Sequence, residues 1–131
     1  MLFVCVHNAG RSQMAEAFFN HLAQQRGLGS RAASAGTLGG GELNPVVVEA
    51  MAEVGVPLTG HVPKALTQTM ADSADHVVSM GCGVDADACP AKFLLAEDWG
   101  LDDPKGLPLE AVRPIREAVR LRVEELLDRL A

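Results

Sequence analysis

Leu2-Phe3-Val4-Cys5-Val6-His7-Asn8-Ala9-Gly10-Arg11-Ser12-Gln13-Met14 is the stretch on which the fold turns. Its first five residues are an unbroken apolar run, the pattern of a short strand buried on both faces. Polar and glycine residues then make a turn, and a helix is expected from Ser12 to Arg26. Met14, Phe18 and Leu22 recur every four positions along it, which lines one face of a 3.6-residue period. Gly27 and Gly29 are natural stops.

Downstream the alternation repeats. Arg31–Ala35 reads as a second strand, and Gly36–Gly41 as a glycine-rich connection. Pro45 can open a helix that runs to Val54, with Gly55 and Pro57 behind it. A brief helix is expected over Ala65–Met70, a third strand over Asp75–Met80, and a fourth near Leu94–Trp99, after a loop from Gly81 to Lys92. The last helix is expected over Leu109–Leu130, with Val112, Ile115, Val119, Val123, Leu126 and Leu130 on one face. Pro114 fits there only in the first turn or at a kink. Strands that alternate with helices predict an α/β fold: one domain over residues 1–131, a four-stranded parallel sheet with helices on both faces. Ligands of such sheets sit beyond the carboxyl ends of the strands, so the turn after Val6 is the place for chemistry.

The chain has 131 residues, enough for one core of useful size. A net charge of −6 argues against nucleic acid or an anionic membrane as partner. No apolar run approaches the roughly 18 residues of a membrane span, and the apolar start meets polar His7 and Asn8 before a signal peptide could form. A cytoplasmic monomer is expected. Three cysteines, an odd number in a reducing compartment, are not a static disulfide framework. They are buried thiols, metal ligands or redox groups.

Cys5 and Arg11 are separated by five residues and followed by a hydroxyl at Ser12. A loop of that length, leading from a strand into a helix N-terminus, can curl until its N–H groups form an anion nest. The helix end adds about half a positive charge. Arg11 can complete the cradle with two parallel donors. The same field stabilises a thiolate, making Cys5 a nucleophile at neutral pH. Asn8 and Ser12 can hold the loop or bond the sulfur, while Ala9 and Gly10 supply backbone. His7 either faces solvent or touches the ligand. The loop lacks the Gly-Lys-Ser/Thr of a nucleotide-binding P-loop. Alone, Cys5 would read as a buried thiol and Arg11 as a surface charge; it is their combination with strand, Asn8, Ser12 and helix that points to catalysis.

Together with Cys5–Ser12, the segments Arg11-Ser12-Gln13-Met14-Ala15-Glu16, Ser34-Ala35-Gly36, Asn44-Pro45 and Asp98-Trp99-Gly100-Leu101-Asp102-Asp103-Pro104 resemble the low-molecular-weight protein tyrosine phosphatase superfamily. Within it they resemble the thioredoxin-coupled arsenate reductases. The resemblance implies that Cys5 attacks the oxyanion, Arg11 binds it, and the aspartate of the Asp-Pro pair, Asp103, is the general acid. Expelling hydroxide needs such a proton.

Two features separate reductase from phosphatase. Phosphatases of this kind usually follow Asp-Pro with tyrosine and flank the pocket with rings. This chain has no tyrosine, and Lys105 and Gly106 follow Pro104. The second feature is the pair Cys82 and Cys89. By resemblance, Cys82 forms a Cys5–Cys82 disulfide as arsenite leaves, and Cys89 then gives Cys82–Cys89. Gly81 and Gly83 supply the backbone freedom such exchange needs. A metal site or two unconnected thiols are the alternatives; only scattered His61 and His76 could join a metal, and no metal or other cofactor is expected.

Some of these reductases hold potassium near the first loop through an acidic residue shortly after a histidine. Here Lys64 stands at that position, so it can pair with Glu16 instead or remain a surface charge; Ser34 matches another position of that site. His7, Ala9 and Gly10 depart from residues often seen in the loop and can mark a subgroup with a different electron donor. The expected activity is reduction of arsenate to arsenite, with phosphate and sulfate as competing anions and thioredoxin or a low-molecular-weight thiol as donor. The runner-up is a small phosphate-ester phosphatase using Cys5, Arg11 and Asp103. A non-catalytic anion-binding module is the third, and a nucleophile and an acid would be superfluous in it.

Overall fold

The computed structural model describes residues 1–38, 41–80 and 97–130. Their elements are β1 (Leu2–Cys5), α1 (Arg11–Gln25), β2 (Ala33–Gly36), α2 (Pro45–Glu53), α3 (Gln68–Ser73), β3 (Val77–Ser79), β4 (Glu97–Asp98) and α4 (Leu109–Leu130). The sheet order is β2-β1-β3-β4 and every pairing is parallel. The expected four-stranded parallel α/β architecture is the one found.

β1 lies between two neighbours, and all four of its residues are buried. Its period of two divides the core. Phe3 and Cys5 pack in the cluster shared by α1, α2 and α4, whereas Leu2 and Val4 pack with Leu66, with Ala71 of α3 and with Val77 on the other face. Helices therefore cover both faces. Phe3 anchors the larger cluster, with its ring 5.3 Å from that of Trp99 and 6.1 Å from that of Phe19. Along α4 the expected stripe is buried at Val112, Ile115, Val119, Val123 and Leu126, joined by Leu127. The side chain of Leu130 is outside the described residues. α2 is tied to α4 by Glu53, which accepts from Arg113 and Arg116.

Some boundaries differ from expectation. The brief helix begins three residues late, at Gln68 rather than Ala65, because Thr67 caps it by accepting from the Met70 N–H. Ala65 instead bridges Gly36, whose N–H and carbonyl bond Lys64 and Leu66. Gly36 is thus the last residue of β2, not the start of the glycine-rich connection. Pro114 sits in the second turn of α4, where it removes the N–H that would bond the Glu110 carbonyl. The loop expected over 81–92 and the first half of the fourth strand lie outside the described residues.

At the end of the sheet opposite Cys5, Glu97 of β4 gathers three side chains. His76 stands 2.7 Å from Oε2, Arg129 donates to both oxygens, and the Trp99 indole donates to Oε1. Burial pushes this carboxyl up, but the bonds from His76, Arg129 and Trp99 outweigh it and hold it below the ordinary carboxylate value. A depressed folded-state value contributes stability above the unfolded value, and that contribution is lost as pH falls through the folded one. Glu97→Gln is therefore expected to destabilise the protein by about 1 kcal/mol at neutral pH. Urea unfolding should show the deficit shrinking once the pH drops below the carboxylate range.

Candidate active site

Three parallel strands end on the same side, at Cys5, Gly36 and Ser79. From Cys5 the chain bends through residues 6–10 and enters α1 at Arg11. Asn8 is the pivot of this loop. Its φ of 55° is left-handed, a conformation that asparagine tolerates better than most residues.

The Asn8 side chain is fully buried and satisfied. Oδ1 accepts from the Lys64 N–H (2.8 Å) and from Gln13 Nε2 (2.9 Å). Nδ2 donates to Ser12 Oγ (2.8 Å) and Ser34 Oγ (2.9 Å). Ser12 Oγ accepts from Asn8 and shares a hydrogen bond with Cys5 Sγ, 2.8 Å away, in which the hydroxyl is the donor once the sulfur is ionised. The Asn8 N–H also points at that sulfur, at 3.2 Å. Both donors favour negative charge on Cys5.

Four of the loop's carbonyls are engaged from outside the loop: those of Cys5, Val6, Ala9 and Gly10 accept from the N–H groups of Thr37, Leu38, Asn44 and Met14. In planar trans peptides the following N–H groups, of Val6, His7, Gly10 and Arg11, then aim the opposite way. That is the arrangement an anion nest at a helix N-terminus requires. Gly36 lets the loop lie this close: a Cβ there would stand 2.6 Å from the Val6 carbonyl oxygen and 2.8 Å from the Asn8 nitrogen.

Cys5 and Arg11 open onto one cleft of about 960 Å³, which Asp103, His7, Ala9 and Gly10 also line. The structure thus brings together Cys5, Arg11 and Asp103, as the sequence anticipates. Arg11 is buried, with Nη1 donating to the Leu101 and Met80 carbonyls (2.7 and 3.2 Å) and Nη2 3.7 Å from Asp103 Oδ2. Asp103 Oδ1 accepts from the Lys105 N–H. Asn8 and Ser12 act behind the loop, holding it and bonding the sulfur. His7 is solvent-exposed at the cleft. Cys82 and Cys89 lie outside the described residues.

Sequence reasoning missed Gln13 and His61. Gln13 accepts from His61 Nδ1 (2.9 Å) while donating to Asn8, so it carries the support of the loop outward. His61 Nδ1 is also 2.8 Å from Glu16 Oε2, and Lys64 Nζ is 3.6 Å from Oε1. Of the two alternatives for Lys64, contact with Glu16 or a surface charge, the contact is present on a half-exposed side chain, but His61 makes the shorter one. The available signal was a glutamine and a glutamate within the run Met14, Ala15, Ala17 and Phe18, where apolar residues fall on every side of the helix and buried polar groups demand partners.

The low molecular weight phosphotyrosine protein phosphatase family matches the chain over residues 1–131. The chain is 36% identical to a glutaredoxin arsenate reductase from Synechocystis sp., a likeness covering 100% of this chain and 98% of that one. Among solved structures, an arsenate reductase in its phosphate-binding state superposes with a TM-score of 0.83 at 35% identity, covering 99% and 97% of the two chains. The thioredoxin-dependent arsenate reductase of Corynebacterium glutamicum gives 0.76 at 37% identity, covering 97% of this chain and 59% of that one.

The contact between Gly36 and the loop can be tested directly. Gly36→Ala forces backbone against backbone and is expected to cost about 1–3 kcal/mol of stability. Phosphate affinity should fall with it, since the N–H ring would be displaced. Unchanged melting and unchanged phosphate binding would show that the loop does not rest on Gly36.

Proposed function

Because the chain belongs to the low molecular weight phosphotyrosine protein phosphatase family, we propose that it is an arsenate reductase in which Cys5 is the nucleophile. The observation that carries this reading is the convergence of the Asn8 N–H and the Ser12 hydroxyl on Cys5 Sγ, in the cleft that Arg11 and Asp103 share. A tetrahedral oxyanion in the loop would meet inward N–H groups below and the guanidinium beside it.

The Cys5 thiolate attacks arsenic, and an arsenic–oxygen bond breaks. Asp103 supplies the proton, so that water departs rather than hydroxide. The Cys82 thiolate then attacks the Cys5 sulfur. A Cys5–Cys82 disulfide forms, the sulfur–arsenic bond breaks, and arsenic leaves with the electron pair as arsenite. Two thiols are oxidised while arsenic(V) becomes arsenic(III). Attack by Cys89 on Cys82 gives Cys82–Cys89 and returns Cys5 as a thiolate. An external dithiol or a low-molecular-weight thiol reduces the last disulfide. Thioredoxin is the favoured donor by the three-cysteine pattern. The likeness to both a thioredoxin-dependent and a glutaredoxin arsenate reductase makes the glutathione system the alternative to assay beside it.

The absence of tyrosine from the chain favours a bare oxyanion over an aryl phosphate. Hydrolysis of small phosphate esters is the second reading, favoured by a cleft much larger than one oxyanion.

Steady-state arsenate turnover with thioredoxin, thioredoxin reductase and NADPH separates these readings. Cys82→Ser and Cys89→Ser should both stop multiple turnover while keeping whatever phosphatase activity the wild type has. Mass spectrometry of the arsenate-treated wild type should find the Cys82–Cys89 bond. Full multiple turnover by Cys89→Ser would remove the three-thiol relay. Asp103→Asn should lower kcat by about 10²–10⁴-fold, the usual worth of a general acid.

A further inference from the structure

Between Asp102 and Gly106 only Pro104 is buried; its neighbours on both sides are exposed. The ring is what anchors this segment, and it rests on Gly10. A Cβ built on Gly10 would stand 2.9 Å from Pro104 Cγ and 3.6 Å from Val47 Cγ2, so any larger residue at position 10 must push the proline away. Glycines with positive φ flank the segment, Gly100 at 58° and Gly106 at 75°. The residue that rides on this anchor is Asp103, whose Oδ2 is 3.7 Å from Arg11 Nη2. That guanidinium is also the group an oxyanion in the loop would require.

We propose that Gly10 is a positioning residue: its bare α-carbon lets Pro104 seat on the first loop, and that seating brings the Asp103 carboxylate to Arg11 as a tethered competitor of the incoming oxyanion. The carboxylate then holds the guanidinium, and anion binding displaces it. The displaced carboxylate is then left beside the bound anion, so the segment that competes for the guanidinium also delivers Asp103 to the substrate. The inference rests on the first loop being an anion site, but on no step of arsenate chemistry.

Sulfate is the probe, because its charge does not change through the carboxylate range. A Cys5→Ser background removes titration of the thiol. The other titratable and charged groups lining the cleft among the described residues, His7, Glu42, Asp102, Lys105 and Arg11, are common to every variant, so differences between variants isolate Asp103. Competition by the Asp103 carboxylate weakens sulfate binding. Isothermal titration calorimetry at neutral pH should show Asp103→Asn binding sulfate about two- to fivefold more tightly, the range of a half-exposed ion pair. Gly10→Ala should move affinity in the same direction, and Pro104→Ala, which removes the seat from the other side, should do likewise even if Gly10→Ala does not fold. Combining either with Asp103→Asn should add nothing further.

Wild-type behaviour in both Gly10→Ala and Pro104→Ala, against a clear effect of Asp103→Asn, would overturn the positioning role. No effect of Asp103→Asn would overturn the competition. A Cys5→Ser protein that binds no sulfate at all would remove the anion site itself, and the proposal with it.

Discussion

The Cys5 sulfur accepts a hydrogen bond from a backbone N–H and shares another with a serine hydroxyl, and both partners are set by one buried asparagine. Asn8 supplies the N–H through its left-handed backbone, and orients the hydroxyl through its side-chain amide. Four bonds fix that amide, reaching to α1, to β2 and to the segment before α3. An unsatisfied donor or acceptor at this depth would cost on the order of 1–3 kcal/mol. The loop conformation is therefore specified from several elements at once. The proposed charge on sulfur and the proposed anion nest rest on the same constraint.

That constraint explains where the site lies in the fold. β1 is central, so its carboxyl end is walled by β2 on one side and β3 on the other. β2 continues past Gly36 to bond the carbonyls of Cys5 and Val6 through Thr37 and Leu38. β3 delivers the Met80 carbonyl to Arg11. The N-cap of α2 bonds Ala9 through the Asn44 N–H. Each neighbour takes a carbonyl or a guanidinium, and together they turn the N–H groups the other way. The cluster around Glu97 does the opposite task at the far end of the sheet, fastening β4 to α4 and to the start of β3.

Much of this was legible in the sequence because the signals were local. The apolar run Leu2–Val6, the four-residue period of α1 and the Cys5-to-Arg11 spacing fix the central strand, the first helix and the loop between them. Pro45 marks the start of α2 without help from tertiary structure. What stayed hidden depends on partners distant in the chain. Ala65 and Leu66 look helical until Gly36 claims them as an extended neighbour. Gln13 reads as an ordinary helix polar residue until Asn8 and His61 are placed on either side of it. The fit of Pro104 on Gly10 joins positions far apart in sequence, and no periodicity announces it.

The central claim is that the first loop keeps Cys5 ionised. The most direct measurement is the ultraviolet thiolate absorbance of a Cys82→Ser/Cys89→Ser protein, whose one remaining thiol is Cys5, followed from acid to alkaline pH. The account requires half-ionisation well below the value of a free cysteine, moving upward when Ser12 is replaced by alanine. A wild-type loop whose thiol ionises like that of a free cysteine, indifferent to Ser12, would contradict it.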